Sequence, residues 1–180
     1  YKLKDIAGLP LLSTTRLMID PKPFYNLFKR VFDFFTSLIG LLLVSPLWVI
    51  ISLAIKLKDA GPVLFKQTRI GLNGEPFNIY KFRTMTEELD ENGILLPDNH
   101  RLGLFGRLLR SSSLDELPQL FSVLRGDMSF VGPRPALYNQ DDLITLRTEK
   151  GVDKLPPGIT GWAQVNGRDE LSIPDKVALD

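Results

Sequence analysis

The sequence predicts a mainly helical α+β fold with a re-entrant membrane helix hairpin, amphipathic interfacial helices and a small β-hairpin or sheet. Three features support this prediction: a long uncharged apolar run, two later amphipathic stretches, and two strand-like segments joined by an Asn-Gly turn. The chain has 180 residues, of which 44% are hydrophobic, so it is long enough for one domain with its own core.

The composition excludes several kinds of catalytic site. The sequence has no cysteine and a single histidine, His100. These counts exclude thiol nucleophiles, disulfide frameworks and Cys/His zinc sites. Any chemistry therefore depends on carboxylates, basic side chains, hydroxyl groups and the backbone.

Charge is distributed unevenly along the chain, although the formal net charge is only +1. Residues 34–55 carry no charge, whereas residues 1–33 and 56–83 are both basic overall. An uncharged block between two basic blocks is typical of a membrane segment, because basic residues favour the cytoplasmic side. The basic residues do not form an aromatic-interleaved face, which argues against nucleic acid as a partner.

The uncharged run over residues 34–55 is the first predicted element. As a straight helix it would be about 33 Å long, enough to cross a bilayer. Ser45 and Pro46 lie at its midpoint, where proline removes a helical hydrogen bond. Basic residues that favour the cytoplasmic side flank both ends: Lys29, Arg30, Lys56 and Lys58. We therefore predict a re-entrant hairpin that bends at Ser45 and Pro46, with a single spanning helix as the alternative.

The next predicted elements are a β-hairpin and two helices. Residues 63–69 and 76–82 have strand-like patterns and are joined by an Asn-Gly turn, which predicts a hairpin. Residues 102–109 and 117–124 have apolar side chains at helical spacing, with Arg107 inside the first stretch and Arg110 and Arg125 just beyond the ends of the two stretches. Such helices suit a lipid headgroup interface, but the pattern is equally consistent with helices that pack on one another.

Asp115 and Glu116 form the most informative acidic pair. They lie at a predicted helix start, where acidic residues are favoured by the helix dipole, and Ser113 and Glu116 have capping-box spacing. With Asp115 as the N-cap instead, Pro118 falls in the first turn, where no hydrogen bond is lost. Spacing alone therefore leaves capping and catalysis as alternatives.

Basic residues give this pair a chemical context: Lys81, Arg83, Arg110 and Arg134. Two prolines flank Arg134, and they pre-set its guanidinium for a bidentate contact with an oxyanion. Carboxylates beside a basic cluster near a membrane suit a phosphate-bearing substrate and a divalent metal ion. Each arginine taken alone is equally consistent with a solvated or interfacial charge.

Four longer motifs extend this pattern. They are KFRTM at residues 81–85, RSSSLDELPQL at 110–120, GDMSFVGPRP at 126–135 and PGITGWAQVNGR at 157–168. In this order the motifs resemble the bacterial sugar transferase family, the monotopic polyprenyl-phosphate phosphoglycosyl transferases. The resemblance extends from about Phe28 to the end of the chain.

The resemblance implies transfer of a sugar-1-phosphate from a UDP-sugar to undecaprenyl phosphate, with release of UMP, in a ping-pong reaction with Mg²⁺. Asp115 would be the nucleophile that forms an aspartyl phosphosugar, and Glu116 would orient the diphosphate. Both carboxylates would hold the metal, and nearby arginines would keep Asp115 ionised. The implied phosphate-binding residues are Lys81, Arg83, Arg110 and Arg134. The implied nucleotide-binding residues are Gln164, Asn166 and Arg168.

The resemblance also implies an organisation and a location. Residues 1–27 would be a lead-in from a longer protein, 28–58 the re-entrant helix, and 59–180 a cytosolic catalytic domain truncated at its C-terminus. The enzyme would act at the cytoplasmic face of a bacterial inner membrane, in contact with lipid, at the start of surface glycan assembly. No motif identifies the sugar or the oligomeric state, and a homo-oligomer is compatible with an apolar interfacial domain.

Two other functions would share part of this pattern. A membrane-anchored scaffold would keep the apolar hairpin but would need neither Asp115 nor Arg134, so the presence of both argues against it. A hydrolase of lipid or nucleotide phosphates would share the basic cluster, and it differs in releasing free sugar phosphate.

Overall fold

The computed structural model describes residues 23–58, 61–167 and 170–180. Its helices are α1 (Pro23–Lys58), α2 (Asp98–Arg101), α3 (Leu104–Ser111), α4 (Gln119–Arg125), α5 (Asp141–Lys150), α6 (Trp162–Val165) and α7 (Ile173–Leu179). Its strands are β1 (Leu64–Ile70), β2 (Pro76–Phe82), β3 (Ser129–Val131), β4 (Ala136–Leu137) and β5 (Gly158–Thr160). The predicted α+β class with a small sheet is confirmed. The predicted lead-in lies outside the described residues as far as residue 22.

Helix α1 contains the predicted apolar run. It is one continuous helix of 36 residues with Pro46 inside it, which corresponds to about 54 Å. Within the described part of the chain it is the one helix long and apolar enough to cross a membrane, by length and composition. The Ser45 hydroxyl donates to the Leu42 carbonyl at 2.8 Å. The re-entrant bend at Ser45 and Pro46 stays a prediction.

The first half of α1 is joined to the rest of the protein by polar contacts. The Arg30 guanidinium donates to the carbonyls of Val123 and Leu124, at 2.6 and 2.7 Å, where α4 ends. Carbonyls in the last turn of a helix lack their usual helical partners. Arg30 donates to both of these carbonyls, and the Val123 carbonyl also accepts from the Gly126 amide at 3.1 Å. Lys29 pairs with the buried Asp33 of the same helix at 3.6 Å, and its Nζ donates to the Val131 carbonyl of β3 at 3.0 Å. The basic residues before the apolar run therefore attach the helix to the folded domain.

The second half of α1 packs against the same domain through apolar contacts. Ile51 and Ile55 are buried in one cluster with Phe82 of β2 and Leu109 of α3. The Trp48 ring lies edge-on to the Phe82 ring, with 5.0 Å between centroids. Both halves of the helix thus contact the domain formed by the later residues.

The β-hairpin forms as predicted. Strands β1 and β2 pair antiparallel from Leu64 opposite Phe82 to Ile70 opposite Pro76. Asn73 has a φ of +57°, which asparagine tolerates in a tight turn. Strand β4 then pairs antiparallel with the other edge of β1, giving the order β2-β1-β4.

A second, two-stranded sheet sets the position of the segment that contains Arg134. Strands β3 and β5 pair parallel, and their backbones approach closely just beyond β3. A Cβ atom on Gly132 would lie 2.2 Å from the Pro156 carbonyl oxygen, so glycine is required there. The chain leaves this contact directly into Pro133-Arg134-Pro135 and then into β4.

Candidate active site

Asp115 and Glu116 lie in a short 3₁₀ turn between α3 and α4. Ser113 before them is left-handed, with a φ of +56°, and its side chain makes no capping hydrogen bond. Helix α4 begins only at Gln119, with Pro118 as its N-cap. Both capping interpretations are therefore wrong, because the acidic pair precedes the helix instead of starting it.

Glu116 is held by two cations from distant parts of the chain. Its Oε1 accepts hydrogen bonds from the Lys81 Nζ at 2.7 Å and from the Arg134 Nη2 at 3.3 Å. Burial favours the neutral carboxyl, but the hydrogen bond and charge of Lys81, together with Arg134, outweigh it. The pKa of Glu116 is consequently lower than usual, and this carboxylate is ionised at neutral pH.

Asp115 has the opposite electrostatic environment. It is 8% exposed, and burial raises the pKa of its carboxyl, with a further contribution from the Glu116 charge. Lys81 and Arg110 lower the pKa but do not outweigh burial. Lys81 and Arg134 bind Glu116 directly, and the expectation that nearby arginines keep Asp115 ionised stays a prediction. A desolvated carboxylate is also a stronger nucleophile.

A cavity of about 820 Å³ opens in front of the pair. It is lined by all six residues predicted for catalysis and phosphate binding: Lys81, Arg83, Arg110, Asp115, Glu116 and Arg134. One side is therefore strongly cationic. Apolar side chains also line the cavity, namely Phe65, Phe82, Met85, Leu89 and Leu95. The arrangement suits an anionic group that carries a large organic substituent.

The cationic residues reach this cavity from three elements. Lys81 is next to last in β2, so alternation points it away from the buried Phe82. Arg110, in the last turn of α3, donates from Nε to the Thr84 hydroxyl at 3.0 Å. Arg83 follows β2 and pairs with Glu87 at 3.3 Å. Both of these arginines are therefore oriented by neighbours in the segment after the hairpin.

The predicted nucleotide-binding residues are not gathered in the same cavity. Gln164 lines a second cavity of about 220 Å³, and Arg134 lines both cavities. The buried amide atoms of Gln164 have no hydrogen-bond partner among the described residues. Asn166 is exposed and donates to the Trp162 carbonyl at 2.9 Å, and it lines neither cavity. Arg168 lies outside the described residues.

Arg69, which the sequence did not single out, lies beside the site and lines the second cavity together with Arg134. It donates from Nη1 to the Pro135 carbonyl at 3.1 Å and from Nη2 to the Gln67 Oε1 at 2.8 Å. Burial, and then repulsion from Arg134, lowers its pKa. The hairpin register places residues 67, 69 and 81 on one face of the sheet. Strand alternation in the sequence could therefore have placed Arg69 on the same face as Lys81.

The donor set at the acidic pair fits a magnesium ion held jointly with a phosphate. Among the described residues, no group of three or more histidine or acidic side chains forms a metal cage. Mg²⁺ instead commonly takes one or two carboxylates and completes its shell with phosphate oxygens and water. Glu116 is already engaged by Lys81 and Arg134, which leaves Asp115 as the freer ligand.

The chain is similar to a known protein family and to several curated proteins. The family model described as bacterial sugar transferase matches residues 24–180. An uncharacterized sugar transferase EpsL of Bacillus subtilis is 52% identical over 155 residues, covering 84% of this chain and 75% of the relative.

Two further relatives carry a named activity. A UDP-glucose:undecaprenyl-phosphate glucose-1-phosphate transferase of Klebsiella pneumoniae is 41% identical over 182 residues, covering 98% of this chain and 38% of the relative. The protein of the same name from Escherichia coli is 40% identical over 184 residues, covering 98% of this chain and 39% of the relative. The chain thus spans less than two fifths of these two relatives.

Proposed function

Because the chain belongs to the bacterial sugar transferase family, we propose that it transfers a sugar-1-phosphate from a UDP-sugar to undecaprenyl phosphate. The names of the Klebsiella and Escherichia relatives support both substrates. The observation that carries the proposal is the buried Asp115 beside Glu116, Lys81 and Arg134 in one cavity. This group combines a carboxylate nucleophile with cations that bind phosphoryl oxygens.

The first half-reaction uses Asp115 as nucleophile. Its carboxylate oxygen bonds to the phosphorus that carries the sugar, and the phosphoanhydride bond to the second phosphorus breaks. The bonding electron pair leaves with UMP, and an aspartyl phosphosugar remains on the enzyme. Burial of Asp115 removes solvating water from the attacking oxygen. In the second half-reaction a phosphate oxygen of undecaprenyl phosphate attacks the same phosphorus and releases Asp115.

Glu116 orients the cations during both steps. It is ionised and already accepts hydrogen bonds from Lys81 and Arg134, so it acts as a fixed anion and not as a proton acceptor. The remaining N–H groups of Lys81 and Arg134 then face the phosphoryl oxygens as pre-oriented donors. Asp115 and Glu116 would hold Mg²⁺, which would supply charge neutralisation for the departing phosphate.

The contacts of α1 support a re-entrant location at the membrane. Arg30 near its start and Ile51 near its end both contact the same folded domain. The intervening Leu42 and Leu43 are exposed, as a lipid-facing segment requires. Leu104 on α3 is also exposed and apolar, consistent with an interfacial helix. We propose that the domain lies on the cytoplasmic face of the inner membrane, because UDP-sugars are made in the cytoplasm.

Topology labelling tests this placement. Tags introduced before Lys29 and after Lys58 should be accessible from the same side of sealed membrane vesicles. Accessibility from opposite sides would establish a spanning α1 and exclude the hairpin.

Product analysis tests the reaction. A panel of UDP-sugars is incubated with the protein, Mg²⁺ and undecaprenyl phosphate, and UMP and lipid-linked sugar are measured. Repeated turnover to UMP that depends on the lipid supports transfer, whereas free sugar phosphate formed equally without lipid would indicate a hydrolase. Asp115→Asn should abolish both turnover and trapping of a radiolabelled phosphosugar on the protein. Labelling that persists in Asp115→Asn would refute the covalent step.

A further inference from the structure

The Pro133-Arg134-Pro135 segment is anchored at all three of its carbonyl groups. The Gly158 amide of β5 donates to the Pro133 carbonyl at 2.8 Å. Arg147 of α5 donates from Nη1 to the Arg134 carbonyl at 2.8 Å. Arg69 of β1 donates to the Pro135 carbonyl at 3.1 Å. Three separate elements therefore hold three consecutive peptide groups.

This anchoring determines where the Arg134 side chain can point. Neither proline has an N–H group, so Pro133 and Pro135 can pair through the backbone only at their carbonyls. The Arg134 side chain is one third exposed and reaches Glu116 at 3.3 Å, a contact too weak to fix a long, flexible side chain by itself. The orientation of the Arg134 backbone thus limits the positions of its guanidinium.

Arg147 is the anchor that is itself most tightly held. It is 7% exposed, and its Nε donates to the Asp180 Oδ2 at 2.9 Å while its Nη2 pairs with the same oxygen. The Asp180 side chain is 1% exposed. The planar guanidinium serves Asp180 and the Arg134 carbonyl together, and the single ammonium of a lysine does not reproduce this geometry.

We propose that Arg147, oriented by Asp180, is a positioning residue that sets the Arg134 guanidinium against Glu116 and the substrate phosphate. Arg147 contacts neither Glu116 nor the expected position of the substrate phosphate, and it acts through its hydrogen bond to the Arg134 carbonyl. The inference rests on the proposed transfer reaction for its kinetic consequence. Misplacement of a charged contact by about 1 Å can cost about 100-fold in rate, so a distant buried arginine can control turnover.

The variant Arg147→Lys tests this role because it keeps the charge and removes the fork geometry. We expect its kcat/KM to fall roughly 10- to 100-fold. Arg30→Lys is the matched control, since Arg30 also donates to backbone carbonyls, at the far end of α4. Arg30→Lys should lose stability and retain wild-type transfer well below its melting temperature. Wild-type activity in Arg147→Lys would overturn the proposal.

A double-mutant cycle separates positioning from general damage. If Arg147 acts through Arg134, adding Arg147→Lys to Arg134→Ala should lower kcat/KM by less than about twofold. The same loss in both backgrounds would overturn the proposal. Absence of transfer by the wild-type protein would instead refute the proposed function, so failure of the function and failure of the positioning role give different results.

A spectroscopic comparison tests the positioning without any turnover. Nitrogen-15 NMR of arginine-labelled protein, assigned with Arg134→Lys, follows the Arg134 guanidinium signal in wild type and in Arg147→Lys. A shifted or broadened Arg134 signal supports the positioning role, and an unchanged Arg134 signal would overturn it even if the protein is inactive.

Discussion

Replacing Lys81 with methionine removes the shortest contact at the acidic pair. The Lys81 Nζ and Glu116 Oε1 are 2.7 Å apart, and their side chains are 18% and 15% exposed. Methionine keeps most of the side-chain volume but leaves Glu116 with Arg134 alone, at 3.3 Å. The variant therefore isolates the consequence of a largely buried carboxylate that has lost its main partner.

The expected cost follows from this burial. Removing one partner of a buried ion pair costs about 3–5 kcal/mol, and the remaining contact with Arg134 places Lys81→Met near 3 kcal/mol. For a chain of this size 1 kcal/mol corresponds to about 2–4 °C, so the melting temperature should fall by roughly 6–12 °C at pH 7. Turnover should also fall, because Lys81 is one of the phosphate-binding cations of the proposed site.

The pH dependence of this loss has a definite sign. The pKa of Glu116 is lower in the folded protein than its ordinary value of 4.5. Its stabilising contribution is therefore complete above that value and is lost as the pH falls through the folded-state pKa. The difference in melting temperature between wild type and Lys81→Met should be large at pH 7 and should shrink as the solution is acidified.

Thermal unfolding in detergent, followed by circular dichroism, measures these differences. The double variant Lys81→Met/Glu116→Gln is the control, because it removes the Glu116 charge together with its main partner and should restore most of the stability. If Lys81→Met melts within about 1 °C of the wild type at pH 7, where a loss of 6–12 °C is expected, the ion pair does not have the burial energy assigned to it.

Three other predictions follow from the same structure. Asp115→Asn should raise the melting temperature at neutral pH, because burial disfavours the ionised Asp115 carboxylate. This gain in stability should vanish as the pH falls through the folded-state pKa towards 3.8. A loss of stability at pH 7 would contradict the prediction. Since Asp115 must be ionised to attack, kcat/KM should fall in acid with a midpoint above 3.8, measured in a series of buffers; a lower midpoint would show that burial does not control its ionisation. Gly132→Ala should cost about 1–3 kcal/mol in denaturant unfolding because its Cβ would meet the Pro156 carbonyl, whereas Gly40→Ala, with its nearest contact at 3.6 Å, should cost little; equal effects would exclude the close approach as the cause.

Local patterns were sufficient for several parts of this protein. The uncharged run predicts the long apolar helix because hydrophobicity alone decides whether a segment suits a membrane. The Asn-Gly turn predicts the hairpin, since few residues adopt a positive φ. The six residues predicted for catalysis and phosphate binding line one cavity. The prediction of these six residues came from the motifs that contain them and from the resemblance of those motifs to the bacterial sugar transferase family.

Sequence spacing could not resolve the helix-capping question. Ser113 and Glu116 have the spacing of a capping box, yet the chain turns left-handed at Ser113 and α4 starts later. The placement of Pro118 is compatible with several helix starts. Packing of the 3₁₀ turn against β2 and α3 decides among them.

Motifs and hydrophobic patterns are local properties, so they are enough to predict the family, the α+β class, the apolar helix and the acidic pair. The pairing of Lys81 and Arg134 with Glu116, and the burial of Asp115 with its raised pKa, are properties of the packed fold. The packed fold also decided that Arg147 anchors the Arg134 backbone. The physical reason is that burial and charge pairing depend on distances between residues far apart in the chain, and only the packed fold sets those distances.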